Sequence, residues 1–223
     1  MRRSRWLASA LLAFSALLVA AQALAVPQTY EIDPVHSRVE FTIRHMFSRV
    51  TGDFGSFHGT ISYDAGAPAA STVVAEIDAA SIDTNNDKRD GHLKSPDFFD
   101  VAKYPTLSFT STKITPLSDG KFKVEGNLTM HGVTKPVVLD AAFLGSGPGL
   151  DGVTRAGFEG LTRVDRKDFG IVWNKALDQG STLLGDDVAI SLEIEAVAPK
   201  PDAKTDPKKA EKAEKKEIAK SGK

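Results

Sequence analysis

Five histidines, His36, His45, His58, His92 and His131, are the side chains of this 223-residue sequence best suited to move a proton or hold a metal. Their spacing assembles neither function. No HxH or HExxH pair occurs, and with no cysteine in the chain, thiolate nucleophiles, thiolate metal sites and c-type haem attachment are all excluded. No GxSxG elbow presents a serine, and every serine lies in strand-like or turn context. The adjacent carboxylates Asp186 and Asp187 are expected in a solvated turn before the last strand. The glycine-rich stretch 145–152 joins one strand-like run to another, so no helix N-terminus waits there for a phosphate. The residues therefore indicate no catalytic apparatus, no metal and no cofactor.

The elements that would position these side chains begin after two terminal segments. Arg2, Arg3 and Arg5 precede an apolar run that ends in Ala23-Leu24-Ala25. A basic start, an apolar stretch too short to span a bilayer and a small-x-small site together predict a signal peptide, residues 1–25, cleaved after Ala25. The expected location is periplasmic or secreted, without stable membrane insertion. At the other end, residues 199–223 hold nine Lys and five acids and almost no bulky apolar side chain, so this segment is expected to be a disordered Lys-rich tail. The remaining 26–198 form one domain with 16 Lys and Arg against 24 Asp and Glu, a net of −8 beside a tail of +4. An acidic body argues against nucleic acid as its partner, because phosphate binding needs a basic face. A homodimer is compatible with the sequence, though no residue selects it.

Within that domain, eight segments alternate apolar and polar residues with the period of two of a half-buried strand: 37–45, 56–63, 72–79, 106–114, 121–130, 137–143, 153–164 and 188–197. Gly, Asp and Ser mark the turns, notably Ser118-Asp119-Gly120 and His131-Gly132. Many short antiparallel strands with one apolar face each predict an all-β sandwich or barrel closed over a single interior. An eight-stranded barrel is about the size that holds one small ligand. Small residues at inward positions, Gly59, Ala75, Gly126, Ala141 and Gly157, leave space for a cavity or mark bends at barrel corners. One segment breaks the pattern. Residues 84–105 are long and polar for a β connection, with Leu93, Phe98, Phe99, Val101 and Tyr104 set among charged side chains. A surface crossing with a short helix and a cover over a barrel mouth both fit it. A closed apolar interior in an exported chain points to carriage of an apolar or amphiphilic molecule.

These segments also carry a resemblance. Tyr30-Glu-Ile-Asp33-Pro-Val-His36-Ser37, then Val39-Glu-Phe41 and His45, resemble the opening of the YceI family. So do Ser81-Ile-Asp-Thr-Asn85, the run from Arg89 through Asp90, His92 and Leu93 to Asp97-Phe98-Phe99, and Lys103-Tyr104-Pro105. Gly126 to Pro136, with His131-Gly132, and Arg166-Lys-Asp168-Phe169-Gly170 complete the pattern. The family commonly has Asp where this chain has Asn127, and the tail lies outside the pattern. The resemblance implies an eight-stranded antiparallel lipocalin-like barrel with a short helical segment between two strands. It further implies a periplasmic protein that binds a polyisoprenoid, an isoprenoid quinone or a similar long amphiphile, for transport or storage linked to stress responses. Two alternatives accompany it: a lipid-acting enzyme using His92 or His131 as base, and a stress-response interaction protein whose lipid is structural.

On this reading Val39, Phe41, Ile43, Phe109, Val124, Leu128, Val137 and Leu139 line the tube and touch the ligand, or serve as plain core. Phe98 and Phe99 plug or border the barrel and are counted with these eight as ligand-binding positions. The polar motif residues Asp33, His36, Arg89, Asp90, His92 and His131 are placed near the mouth, where they anchor loops by charge-assisted hydrogen bonds or meet a ligand head group.

Overall fold

The computed structural model of the protein describes residues 27–177 and 182–199. The expected signal peptide and the chain beyond Pro199 lie outside them. Eleven strands run through the described residues: β1 (Gln28–Ile32), β2 (Arg38–His45), β3 (Ser48–Phe54), β4 (Phe57–Tyr63), β5 (Thr72–Asp78), β6 (Ile82–Asp83), β7 (Thr106–Pro116), β8 (Lys121–Met130), β9 (Val133–Pro148), β10 (Thr154–Asp165) and β11 (Leu184–Val197). One α-helix, α1 (Asp87–Leu93), interrupts them.

Eight strands close an antiparallel ring in the order β1-β4-β5-β7-β8-β9-β10-β11, with β1 returning to β11 through Glu31↔Val197 and Ile32↔Ala196. The closed barrel is the expected fold, but its membership differs by one strand. Every segment read as a strand is a strand, yet 37–45 stands outside the ring and β1, too short to show alternation, completes it. β2 takes the rest of the same edge of β11, from Ile43↔Val188 to Leu192↔Val39 and on to Arg38, and β3 and β6 extend outward from it. Ser37 makes the break between β1 and β2 possible. Its hydroxyl donates to the Glu195 carbonyl and accepts from the Glu195 amide, both at 3.0 Å, which replaces the missing ladder bonds.

Two of the tight turns have the chemistry expected of them. Asp119-Gly120, in the connection 117–120, and His131-Gly132, the whole loop between β8 and β9, both carry positive φ (58° and 70°, 52° and 73°), the geometry that lets the two-residue loop match the twist of its strands. Asp186 and Asp187, expected in a turn, instead belong to β11 at an irregularity between Leu184 and Val188. There Asp186 accepts from Arg166 at 3.1 Å and Lys167 at 2.8 Å. These two cations, the Lys167 hydrogen bond foremost, hold its carboxyl below the usual carboxylate range.

The tightly packed core gathers at the two ends of the barrel. At one end Phe54, Ile82, Phe98, Leu107, Met130, Phe169 and Ile171 are buried together. At the other, Ile114, Phe122, Val124 and Leu139 form one cluster and Tyr30, Ile61, Ala156 and Ala196 another. Phe122 and Met130, eight residues apart on β8, stand in opposite clusters, about 27 Å apart along an extended strand.

Candidate functional site: an apolar cavity

Strand alternation sends one face of every ring strand inward, and these faces do not fill the space they enclose. A cavity of about 630 Å³ remains, within the range of small-molecule binding pockets. All ten positions read as ligand-facing line it: Val39, Phe41 and Ile43 from β2, Phe109 from β7, Val124 and Leu128 from β8, Val137 and Leu139 from β9, and Phe98 and Phe99 beyond α1. Several also belong to the core clusters, so lining and core are the same residues at the ends of the tube.

The small inward residues divide into two kinds. Ala75 and Ala141 do face the cavity. Gly59 and Gly126 leave no open space: a Cβ at Gly126 would run into the Phe109 ring, and one at Gly59 into the β5 backbone and Ile32. Gly126 is thus what leaves room for the Phe109 ring beside β8.

At the far end the cavity is bounded by a cluster of rings, packed mostly edge to face. Tyr63 lies 4.6 Å from Phe143, 5.9 Å from Phe158 and 6.2 Å from Phe122, centroid to centroid. Burial raises the Tyr63 phenol above its ordinary pKa, which keeps it neutral there. The near end has a different character. Every basic residue of the lining is found here: His45 on β2, Lys88, Arg89 and His92 on α1, and Arg166 after β10.

The connection 84–105 covers this end, and Thr84 holds it in place. Arg89 donates through Nε to the Thr84 hydroxyl (2.6 Å) and through Nη2 to the Thr84 carbonyl (2.7 Å). The Thr84 amide donates to Asp90 Oδ1 at 3.0 Å, and its hydroxyl donates to the same oxygen. Arg89 and Asp90 therefore meet through a buried threonine rather than as a direct pair. Asn86 caps α1 by accepting from the Arg89 amide. Gly52 lets β3 pass close by, since a side chain there would strike Thr84 and Phe41. His92 is bonded to Asp97 at 2.8 Å, and its ring packs edge-on against Phe98 and Trp173, each 4.9 Å away.

Of the six polar motif residues, only Arg89 and His92 line the cavity; Asp90 sits beneath them as an anchor. His131 lies in the β8–β9 turn, where its Nδ1 donates to the Phe169 carbonyl (3.1 Å) and its ring meets Tyr104. Asp33 and His36 occupy the break between β1 and β2, outside the lining. They are bonded at 2.9 Å, which lowers the pKa of Asp33 and raises that of His36. Asp33, His36 and Glu195 bring potential ligand atoms within 4.8 Å of one another. Arg155 already supplies the positive charge there, 3.6 Å from Asp33 and 3.3 Å from Glu195, so the group is an ion-pair cluster that ties β1 to β10 and β11.

Trp173 and Arg166 are among several lining residues that were not picked out from the sequence. Trp173 stands outside any alternating run and is carried in by Arg166. That arginine is 3 % exposed and donates to the Gly185, Ile171 and Trp173 carbonyls as well as to Asp186. The one available signal was a charged residue at the end of a strand followed by aromatic and aliphatic side chains without period.

The sequence model of the YceI-like domain matches residues 30–196, most of the chain. The chain belongs to the YceI-like domain family. It is 45% identical over 158 residues to a UPF0312 protein of Azotobacter vinelandii, covering 70% of this chain and 82% of that one. The crystal structure of the Campylobacter jejuni YCEI protein shares the fold with a TM-score of 0.61 at 32% identity, over 70% of this chain and 90% of that one. A polyisoprenoid binding domain from Saccharophagus degradans superposes with a TM-score of 0.54 over 77% of this chain and 99% of its own, at 17% identity, a likeness of fold. Among the described residues of this YceI-like chain, no helix is long and apolar enough to cross a membrane.

Proposed function

We propose that this YceI-like chain is a carrier or store for a polyisoprenoid, an isoprenoid quinone or a similar long amphiphile, working outside the cytoplasm after export. The observation that carries the reading is the cavity itself. It is lined mainly by apolar side chains, with Tyr63, Phe122 and Phe158 at the end away from α1 and its basic residues confined to the end under α1. A long hydrocarbon tail fits the first two features and a polar head group the third. That the Saccharophagus domain is described as polyisoprenoid-binding agrees with this choice of ligand.

Binding rather than catalysis is supported by what His92, one of the two histidines of the lining, does. His92 is bonded to Asp97 and wedged between Phe98 and Trp173, the arrangement of an anchored ring. Export is supported by the basic start, apolar run and Ala23-Leu24-Ala25 site of the sequence.

Trp173 gives a direct assay. It is the only tryptophan besides Trp6 of the expected signal peptide, and it borders the cavity. Titration with an isoprenoid quinone should quench its emission with saturation. Emission unchanged across the titration would overturn the reading for this ligand class.

A further inference from the structure

We infer that the tip of the β2–β3 hairpin docks on the surface of an anionic phospholipid bilayer, beside the cavity's basic end; this rests on the carrier reading above. The two strands are joined by Met46-Phe47 alone, with His45 opposite Ser48. Two-residue hairpin loops favour Gly, Asn or Asp, which accept positive φ and solvent. Here Met46 holds φ at 47°, and Phe47 is 92 % exposed. Phe47 serves neither the turn nor the core, Met46 keeps 42 % of its surface exposed, and both are suited to burial in something outside the molecule.

Arginines flank this apolar tip. Arg44 and Arg49 face each other directly across the ladder, a placement that costs stability. Neither has an acidic partner within 4.0 Å among the described residues, although Asp186 and Asp187 border the same depression as Arg44, Arg49 and Arg163. Asp186 is engaged by Arg166 and Lys167. Arg44 Nη1 donates to the Phe47 carbonyl at 3.3 Å, so its guanidinium stands at the tip itself. In a domain whose net charge is −8, this is a local reversal of sign. An aromatic wedge between arginines matches the boundary of a bilayer, with the ring among the acyl chains and the guanidiniums on phosphates.

The tip also stands where transfer would occur. His45 and Val50, on either side of it, line the cavity. The Met46 amide donates to the Leu183 carbonyl at 2.9 Å, and Leu183 and Leu184 line the cavity too. One hairpin tip gives weak, reversible attachment, which suits collecting or delivering a lipid better than anchoring does.

The test is sedimentation of the protein, its Lys-rich tail included, with vesicles of phosphatidylglycerol mixed with phosphatidylcholine, against vesicles of phosphatidylcholine alone. Partition should favour the anionic vesicles. It should fall about tenfold for Phe47→Ser and at least as far for Arg44→Glu combined with Arg49→Glu. Trp173 quenching by the quinone should persist in both variants, which also reports that they fold. Phe47→Trp adds a second readout, a blue shift of emission on the anionic vesicles. No partition by the parent protein, equal partition by Phe47→Ser, or no blue shift would overturn the docking inference and leave the carrier reading intact. Quinone titration that fails while tip-dependent vesicle binding persists would remove the carrier reading instead.

Discussion

His36 and Asp33 hold each other in their charged forms at the break between β1 and β2, and this makes the stability of that corner depend on pH. The hydrogen bond that His36 donates to Asp33 raises the pKa of His36, so the contribution of His36 is complete below the ordinary imidazole value and is lost as pH rises through its raised folded value. The hydrogen bond from His36 lowers the pKa of Asp33, whose contribution is present above the ordinary carboxylate value and is lost as pH falls through its lowered one. The pair therefore acts fully between about pH 4 and 6.5. Urea unfolding of the parent protein and His36→Gln should differ most in that window and converge toward alkaline pH. A difference that grows above neutral pH would refute the pairing. At this scale the sequence was partly legible. The apolar lining could be read from alternation, because period two assigns each side chain to a face. Arg166 and Thr84 could not be read in the same way, since their partners are mainly backbone groups and buried oxygens that only the closed barrel brings together.

The connection 84–105 is where an element decides what the barrel can do. Its helix is only seven residues, too short to stand without its cap and the Thr84 hub. Thr84→Val should remove the hydroxyl that joins Arg89 to Asp90, destabilise the fold by about 2–3 kcal/mol and open the connection. Amide exchange is expected to quicken across α1 and the turns after it while the β8–β9 ladder stays protected. Uniform quickening through the ladder would mean that the hub supports the whole barrel rather than its cover. The ring strands from β4 onward show how much an element's length matters for reading it. Those of seven residues or more display their period, whereas β1, at five, and β6, at two, give almost no signal. β3 was hidden because Gly52 interrupts its alternation, and that glycine is there to let β3 pass Thr84 and Phe41. β2 was legible as a strand but not as an arm outside the ring, because its place depends on β1 taking the same edge of β11.

For the whole molecule, closure is the property that follows most directly from the chain. With no cysteine available, stability must come from the ladder and from packing, and a ring without free edges among its eight strands supplies the first. Packing is concentrated at the two ends, which leaves the middle of the tube open. The existence of a cavity could be inferred from small inward residues only in part, because Gly59 and Gly126 turned out to admit neighbours rather than ligand. Lipid carriage is tested most directly by purifying the protein from its own host, extracting it with organic solvent and weighing what is released. A molecule with a polyisoprenoid tail, close to one per protein, is the expected release. Folded protein that releases nothing, or only the bulk phospholipid of the membrane, would contradict carriage.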